Sequence, residues 1–340
     1  MMIDLRSMEY AELEAFLTES GEPKYRAKQI FSWVMQGAES FDEMTNISKK
    51  TKQMLMEKCF ISKLSIKEKY ISKIDGTIKY LFALDDGNCI ETVIMRYHHG
   101  ITVCISSQVG CRMGCGFCAS TIGGLYRSLT AGEILNQVIY AQKDIKERIS
   151  NIVMMGIGEP LDNYDNVIKF LHNVNHSDGL NIGYRHISLS TCGIVDKIYK
   201  LADENLPITL SVSLHAPNNE IRDGIMPVNH KYKIEELIEA CRAYIKKTTR
   251  RISFEYSLIS GVNDSVENAE ELAKLLQGML CHINLIPVNH VEEREYQKSK
   301  NSDIKKFQER LIQLGMNATI RRELGADISA SCGQLRKKLL

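Results

Sequence analysis

The sequence has no long apolar stretch and no strong charge of either sign, and both absences limit what the protein can be. No apolar run approaches the ~20 residues that a membrane-spanning helix needs. The first residues lack an apolar secretory signal, so we expect a cytoplasmic protein without a membrane span. A net charge of +1 over 340 residues gives no general attraction to nucleic acid. Any such contact must therefore use local basic patches.

Ten Cys in a cytoplasmic chain indicate metal or redox chemistry rather than structural disulfides. Three of them follow a C-x3-C-x2-C pattern on a glycine-rich loop: Cys111, Cys115 and Cys118. Zinc would need a fourth ligand nearby, as a second C-x2-C or a His pair, and none follows. Three soft thiolates favour a [4Fe-4S] cluster, which keeps one iron open for a small molecule. The alternative is three unrelated buried thiols.

Residues 1–60 are expected to form a small helical domain. Following the break at Gly21-Glu22-Pro23, apolar residues recur at spacings of three and four, which predicts a helix with one buried face. That face comprises Ala27, Ile30, Phe31 and Val34.

Between residues 61 and 98 the apolar pattern changes to a period of two. The pairs Asp75-Gly76 and Asp86-Gly87 separate three alternating stretches, which predicts consecutive β-hairpins. Glu91 lies in the third of these strands. By itself it reads as an exposed strand residue.

From residue 99 to 325 predicted strands alternate with helical patterns. The six strands span 101–107, 151–156, 185–191, 208–214, 251–258 and 282–287, and a further strand follows at 318–321. Alternation of this kind predicts an α/β fold with a parallel sheet.

Polar and apolar residues alternate along several of these strands, although parallel strands buried on both faces are usually almost wholly apolar. The polar set is Cys104, Ser106, His186, Ser188, Ser190, Ser211, Ser213, His215, Ser253, Glu255 and Ser257. Buried polar groups cost roughly 1–3 kcal/mol each unless they are hydrogen-bonded. We therefore expect the apolar faces under helices and the polar faces around a bound polar ligand, inside an open barrel of six strands.

The cysteine triplet, followed one strand later by Gly156-Ile-Gly158-Glu159, resembles the radical S-adenosylmethionine (SAM) enzymes. The stretch from Cys104 to Cys118, with Cys332-Gly-Gln-Leu near the C-terminus, resembles the RlmN/Cfr RNA methyltransferases over nearly the whole chain. The implied fold is a partial (β/α)6 radical SAM barrel with a small N-terminal helical accessory domain that helps hold RNA. A β-hairpin extension precedes the barrel, and a C-terminal segment, 326–340, follows it.

The resemblance also implies functional residues. The cysteine triplet would hold one [4Fe-4S] cluster. Contacts to SAM would come from Gly158, Glu159, Ser190, Ser213, Leu214, His215 and Asn289. The catalytic residues would be Cys332, which accepts a methyl group, Cys104, which resolves the product, and Glu91, a proton acceptor.

The implied reaction is methylation of adenine C2 through an S-methyl Cys332 intermediate, with two SAM per turnover. A disulfide between Cys104 and Cys332 would form as the product leaves. The implied substrates are one adenosine in the peptidyl-transferase centre of 23S ribosomal RNA and the adenosine 3′ of the anticodon in some tRNAs. Flavodoxin or ferredoxin would supply electrons, and we expect a monomer.

Three alternatives remain. A Cfr-like enzyme would methylate C8 of adenine with the same cluster and cysteines. An activase that makes a glycyl radical on a partner protein would need no methylated Cys332. An iron–sulfur electron carrier that binds RNA would make no 5′-deoxyadenosine from SAM.

Three basic stretches are candidate phosphate contacts, although each could equally be a solvated surface. They are Lys246–Arg251, Arg321-Arg322 and Arg336–Lys338. The other thiols are interpreted as structural: Cys59, Cys89, Cys192, Cys241 and Cys281.

Overall fold

A computed structural model describes residues 2–336. The N-terminal part is helical, with a short parallel strand pair at its two ends. Its elements are β1 (Ile3–Asp4), α1 (Tyr10–Glu19), α2 (Tyr25–Met35), α3 (Lys49–Lys58) and β2 (Cys59–Phe60). The predicted apolar face of α2 is confirmed, since Ala27, Ile30, Phe31 and Val34 are all fully buried.

Three antiparallel strands come next, as the two Asp-Gly turns predict. They are β3 (Ser65–Ile71), β4 (Ile78–Ala83) and β5 (Cys89–Tyr97). The last of them also pairs antiparallel with the first barrel strand, where Val93 lies opposite Cys104. The extension and the barrel therefore share one continuous sheet.

The barrel alternates strands and helices as predicted, and a small hairpin, β7–β8, is inserted after its first strand. Its elements are β6 (Gly100–Cys104), β7 (Gln108–Gly110), β8 (Leu125–Ser128), α4 (Ala131–Ile145), β9 (Ile149–Met154), α5 (Tyr164–Asn175), β10 (Ile187–Thr191), α6 (Val195–Glu204), β11 (Thr209–Ser213), α7 (Asn219–Ile225), α8 (Ile234–Thr248), β12 (Ile252–Leu258), α9 (Val266–Leu276), β13 (Cys281–Pro287), α10 (Asn301–Gln313) and β14 (Ala318–Ile320).

All strands except the three short pieces β1, β2 and the β7–β8 hairpin belong to one ten-stranded sheet. Its order is β14-β13-β12-β11-β10-β9-β6-β5-β4-β3, and pairing is parallel from β6 to β14. The predicted orientation of the strands is confirmed: Leu189, Val212 and Phe254 are buried under the helices. The polar residues between them face the lumen of an open barrel. No helix within residues 2–336 is both long enough and apolar enough to cross a bilayer.

After β14 the chain crosses from one edge of this sheet to the other. We call residues 325–336 the C-terminal strap. Gly325 N donates to Asp75 Oδ2 at 2.9 Å, and Lys79 Nζ donates to Ser329 O at 3.1 Å. Because Asp75 and Lys79 belong to the β3–β4 hairpin, the strap spans the lateral opening of the barrel.

Candidate active site

The cysteine loop is held at both ends by the β7–β8 hairpin. Gln108 pairs with Ser128, and Gly110 pairs with Leu125. At Gly110 φ is +79°, and a Cβ atom would lie 2.0 Å from the carbonyl oxygen of Gly124. Only glycine fits this crossing, which fixes where the loop enters the barrel mouth.

Cys111, Cys115 and Cys118 line a single cavity at the C-terminal ends of the barrel strands. Burial raises the pKa of Cys111 to about 12. Burial also raises the pKa of Cys115, and the charges of the other two thiols raise it further. Cys111 is buried, and Cys115 and Cys118 are half-buried. Thiols that oppose one another's ionisation are stable as thiolates only with a cationic partner, so the donor set fits a metal centre.

The spacing of these thiols suits a cluster rather than one ion. Within residues 2–336 no three His, Cys, Asp or Glu side chains converge closely enough to hold a single metal ion. A [4Fe-4S] cube offers each thiolate a separate iron, so its ligands can stand farther apart.

Six of the seven expected SAM contacts lie in the wall of the same cavity: Gly158, Glu159, Ser190, Ser213, His215 and Asn289. The seventh, Leu214, turns its side chain into the core under the helices. Its backbone N donates to Glu255 O at 3.1 Å, and its carbonyl accepts from Arg222 at 3.0 Å. Leu214 therefore supports the wall without lining it.

Glu159 is buried at 4% exposure, and its carboxylate ties two strand ends together. One oxygen accepts from Leu161 N at 3.0 Å, and the other accepts from Cys192 N at 2.7 Å. Burial raises the pKa of Glu159, although these hydrogen bonds oppose the shift. Neighbouring Gly158 has φ +103°, and a Cβ there would lie 2.6 Å from the Gln108 side chain.

His215 is buried in a left-handed backbone conformation with φ +58°. Its Nδ1 accepts from Ser257 N at 2.9 Å, which assigns the proton of the neutral ring to Nε2. Burial, and then the charge of Arg222, lower the pKa of His215 to about 3. The ring is therefore neutral at physiological pH and offers an N–H donor within the cavity wall.

Arg222 was not expected from the sequence, although it organises the strand ends behind the cavity. It is fully buried and donates to the carbonyls of Leu214, Cys192 and Ser213 at 3.0, 2.7 and 3.2 Å. Its remaining bond, 3.0 Å long, goes to Asn229 Oδ1. A charged residue in a short amphipathic helix is normally exposed to solvent, so the local sequence did not indicate that Arg222 is buried behind the cavity.

Cys332 lies on the C-terminal strap and lines both the thiol cavity and an adjoining side cavity. The strap is held by its backbone: Asn289 Nδ2 donates to Cys332 O at 2.9 Å, and Ala119 N donates to Gly333 O at 2.8 Å. The strap is therefore tied directly to the cysteine loop.

Cys104 lies on the lumen side of β6, among Val93, Met95 and Ala330. Burial is the largest cause that raises the pKa of Cys104 to about 12, and the charge of Cys332 raises this pKa further. None of the ten Cys, which all fall within residues 2–336, forms a disulfide.

Glu91, read from its strand alone as an exposed residue, is buried with 1% exposure. Its carboxylate pairs with Lys79 Nζ at 3.2 Å and accepts from Arg336 N at 2.9 Å. It lines a separate cavity beside the strap, apart from the three thiols.

Two further residues of the thiol cavity were not assigned to the site from the sequence. Cys192, interpreted as structural, lies in the cavity wall, and its raised pKa reflects burial and then the charge of Glu159. Arg321, considered only as a phosphate contact, lines the same cavity. Their positions at strand ends were the available signal.

The other basic stretches lie elsewhere. Lys246–Arg251 covers the end of α8 and the connection that precedes β12. Arg336 pairs with Glu293, whereas Lys337 and Lys338 lie outside the described residues.

Family models match two parts of the chain. The model of the Radical SAM superfamily matches residues 105–276, and that of the Ribosomal RNA large subunit methyltransferase N-terminal domain matches residues 3–61.

Individual proteins match almost end to end. The probable dual-specificity RNA methyltransferase RlmN of Clostridium novyi is 58% identical, over 97% of this chain and 96% of its own. Its counterpart from Alkaliphilus oremlandii is also 58% identical, over 99% and 98%. A crystal structure of a radical SAM methyltransferase from Sphaerobacter thermophilus superposes with a TM-score of 0.93. That protein is 45% identical and matches over 98% of this chain and 99% of its own.

Proposed function

This chain belongs to the RlmN-type methyltransferases of the radical SAM superfamily, and from that premise we propose that it methylates C2 of adenine in RNA. The proposed substrates are 23S ribosomal RNA and transfer RNA, met in the cytoplasm. One observation carries the proposal: the strap presents the Cys332 thiol to the cavity that the cysteine triplet lines, with Cys104 behind it.

Cys111, Cys115 and Cys118 would hold the [4Fe-4S] cluster, and their shared cavity is where SAM would lie. Once bound and reduced by flavodoxin or ferredoxin, the cluster supplies single electrons that cleave a SAM and so allow a hydrogen atom to be taken from an S-methyl group. The neutral His215 Nε2–H and the Ser190 and Ser213 hydroxyls supply hydrogen bonds for orienting SAM.

Cys332 acts first as a nucleophile. Its thiolate sulfur forms a bond to the methyl carbon of one SAM, the sulfonium–methyl bond breaks, and S-adenosylhomocysteine leaves. A second SAM would then serve in hydrogen removal, after which the carbon held on Cys332 bonds to adenine C2. The C2 hydrogen leaves as a proton, and the remaining electron would return to the cluster. Arg321 faces this sulfur, and the charge on Cys332 is the largest cause of the raised pKa of Arg321.

Cys104 completes the turnover. Its sulfur, once deprotonated, attacks the Cys332 sulfur, a disulfide forms, and the bond between that sulfur and the methylene carbon breaks. The carbon keeps the bonding electron pair and takes up a proton, which releases methylated adenine. Glu91 would accept a proton while holding the strap through Arg336 N. It shares the face of β5 with Val93, which packs beside Cys104.

Anaerobic turnover with methyl-labelled SAM and defined RNA fragments tests the proposal. Cys332→Ala should transfer no methyl group to RNA yet still form 5′-deoxyadenosine, because the cysteine triplet is intact. Cys104→Ala should accumulate RNA joined covalently to Cys332. Cys281→Ala is the matched control, because Cys281 lies on β13 outside the thiol cavity.

The position of the label separates the alternatives. Mass spectrometry of digested RNA should locate the methyl group at C2 of adenine. A methyl group at C8 would identify a Cfr-like enzyme, and unmethylated RNA with full SAM cleavage would favour the activase.

A further inference from the structure

Another cavity, on the opposite side of the lumen from the thiol cavity, opens where the parallel strands begin. We call it the lower cavity. It is lined by Met95, Tyr97, His99, Thr102, Asn151, Ile152, Val153, Arg185, His186, Ser188 and Arg321. Because Arg185 and His186 precede β10 and Asn151 is near the start of β9, this cavity faces away from the cysteine loop.

The formal charges of the lower cavity are of one sign. Arg185 and Arg321 line it, and among residues 2–336 no Asp or Glu does. Arg185 is exposed and has no hydrogen-bond or ion-pair partner anywhere in residues 2–336. Nearby Arg96 shows the usual alternative, since it bonds Glu147 through both terminal nitrogens at 2.9 and 2.6 Å. A guanidinium left open at a cavity mouth suits a phosphate, which it can bind through two N–H groups.

Aromatic rings stand beside this cation. The rings of Tyr97 and His99 stack with centroids 5.0 Å apart and planes 12° from parallel. His98 packs edge-on against His99 at the same centroid distance. Proteins that bind single-stranded nucleic acids combine aromatic rings with cations in this way. The bases stack on the rings, and the phosphate backbone lies on the cations.

The lower cavity also adjoins the side cavity that contains Cys332. The two cavities share the lining residues Met95, Tyr97 and Arg321. Arg321 lines the thiol cavity as well, so it stands at the junction of all three. A base entering from below would pass this guanidinium before reaching Cys332.

We propose that the lower cavity is where RNA enters: a phosphate beside the target adenosine binds Arg185, a base stacks on Tyr97 and His99, and the target base passes Arg321 toward Cys332. This rests on the proposed function and specifies the face of the barrel that receives RNA. Base-modifying enzymes must take their target out of the stack, and the side chains that line both cavities, Met95, Tyr97 and Arg321, would have to move apart to admit the flipped base.

The test is RNA binding by the full-length holoenzyme, measured by fluorescence anisotropy with a labelled RNA hairpin over a range of salt concentrations. One phosphate contact contributes roughly 0.7–0.9 to the salt slope, so Arg185→Gln should lower the slope by that amount and weaken binding roughly fivefold at 0.1 M salt. Tyr97→Leu should weaken binding at least about fivefold with an unchanged slope, because it removes only stacking.

Arg242→Gln is the matched control. Arg242 is also exposed and without a carboxylate partner, but lies on α8, where it donates only to Gln277 O at 3.4 Å. Methylation of Cys332 by SAM without RNA, followed by protein mass, should be unchanged in Arg242→Gln. If Arg185→Gln bound RNA with the salt slope and affinity of wild type, this inference would be overturned and the proposed function would be unaffected. Wild-type protein that neither binds nor methylates RNA would overturn the proposed function as well.

Discussion

The thiol cavity and the lower cavity occupy the two ends of one barrel and are built on opposite principles. At the thiol cavity three polar groups are buried and bonded to backbone: Glu159 to two N–H groups, His215 to one, and Arg222, behind the wall, to three carbonyls. At the lower cavity Arg185, His99 and His186 are exposed.

The difference follows from what each end has to bind. Buried polar groups are stable only when they are satisfied, so the thiol cavity is fixed in shape before any ligand arrives. Exposed cations remain hydrated, and they can exchange water for phosphate at little cost to folding. The thiol cavity is therefore preorganised for chemistry, and the lower cavity is suited to exchanging water for phosphate.

The largest effect that would test this contrast is expected at Arg222. Arg222→Met removes four hydrogen bonds from a charged donor, three of them buried, each worth about 1.5–3 kcal/mol. We expect the free energy of unfolding to fall by at least about 3 kcal/mol in anaerobic urea titrations. SAM affinity should also fall, because the bonded carbonyls belong to the cavity wall.

Arg242→Met is the control for this change. It removes an exposed arginine of neighbouring α8 and should alter stability by no more than about 0.5 kcal/mol. An equally small effect of Arg222→Met would show that the thiol cavity does not depend on buried hydrogen bonds, and the contrast would fail.

A smaller effect is expected from pH at His215. Its folded pKa of about 3 lies below the usual 6.5, so the unfolded chain binds the extra proton as the pH falls through 6.5. Its contribution makes the wild-type protein about 2 kcal/mol less stable at pH 5 than at pH 7.5. His215→Asn keeps an acceptor for Ser257 N, tolerates positive φ, and should lack this part of the pH dependence.

Urea titrations of both proteins at the two pH values measure that difference. Identical pH dependence in the variant would mean that the ring is already protonated or solvated in the fold, contrary to its burial.

The smallest effect is expected at Arg185. Because its side chain is exposed and unbonded in the described structure, Arg185→Gln should change the free energy of unfolding by no more than about 0.5 kcal/mol. Thermal unfolding of the variant beside wild type is sufficient. A loss of several kcal/mol would place Arg185 among the structural residues and remove the distinction between the two ends.

The strands and their orientation could be predicted because periodicity reports burial directly. The pattern around Ser211 and Ser213 placed the correct face toward the lumen, and the predicted strand 151–156 corresponds to Ile149–Met154. Boundaries shift by up to three residues, as at the first strand, predicted at 101–107 and found at Gly100–Cys104. Strand ends depend on pairing partners, which the local sequence does not specify.

What could not be predicted depends on distant contacts. The strap bonds to the β3–β4 hairpin join residues about 250 positions apart, as between Gly325 and Asp75. Arg222 carries no local sign that its helix turns it inward. The functional roles of Cys332 and Cys104 came from family resemblance, while the structure adds that they share one neighbourhood.

Arg321, which lines all three cavities, cannot hydrogen-bond the Cys332 thiolate and an incoming base at the same time. If Cys332 is methylated as proposed, its sulfur no longer carries the charge that attracts the guanidinium, and the guanidinium is then available to the base. Reciprocity of linked equilibria would then make RNA prefer the methylated enzyme, and bound RNA would favour that form in return. The order of the two half-reactions would thus be enforced by affinity, since each completed step recruits the ligand of the next.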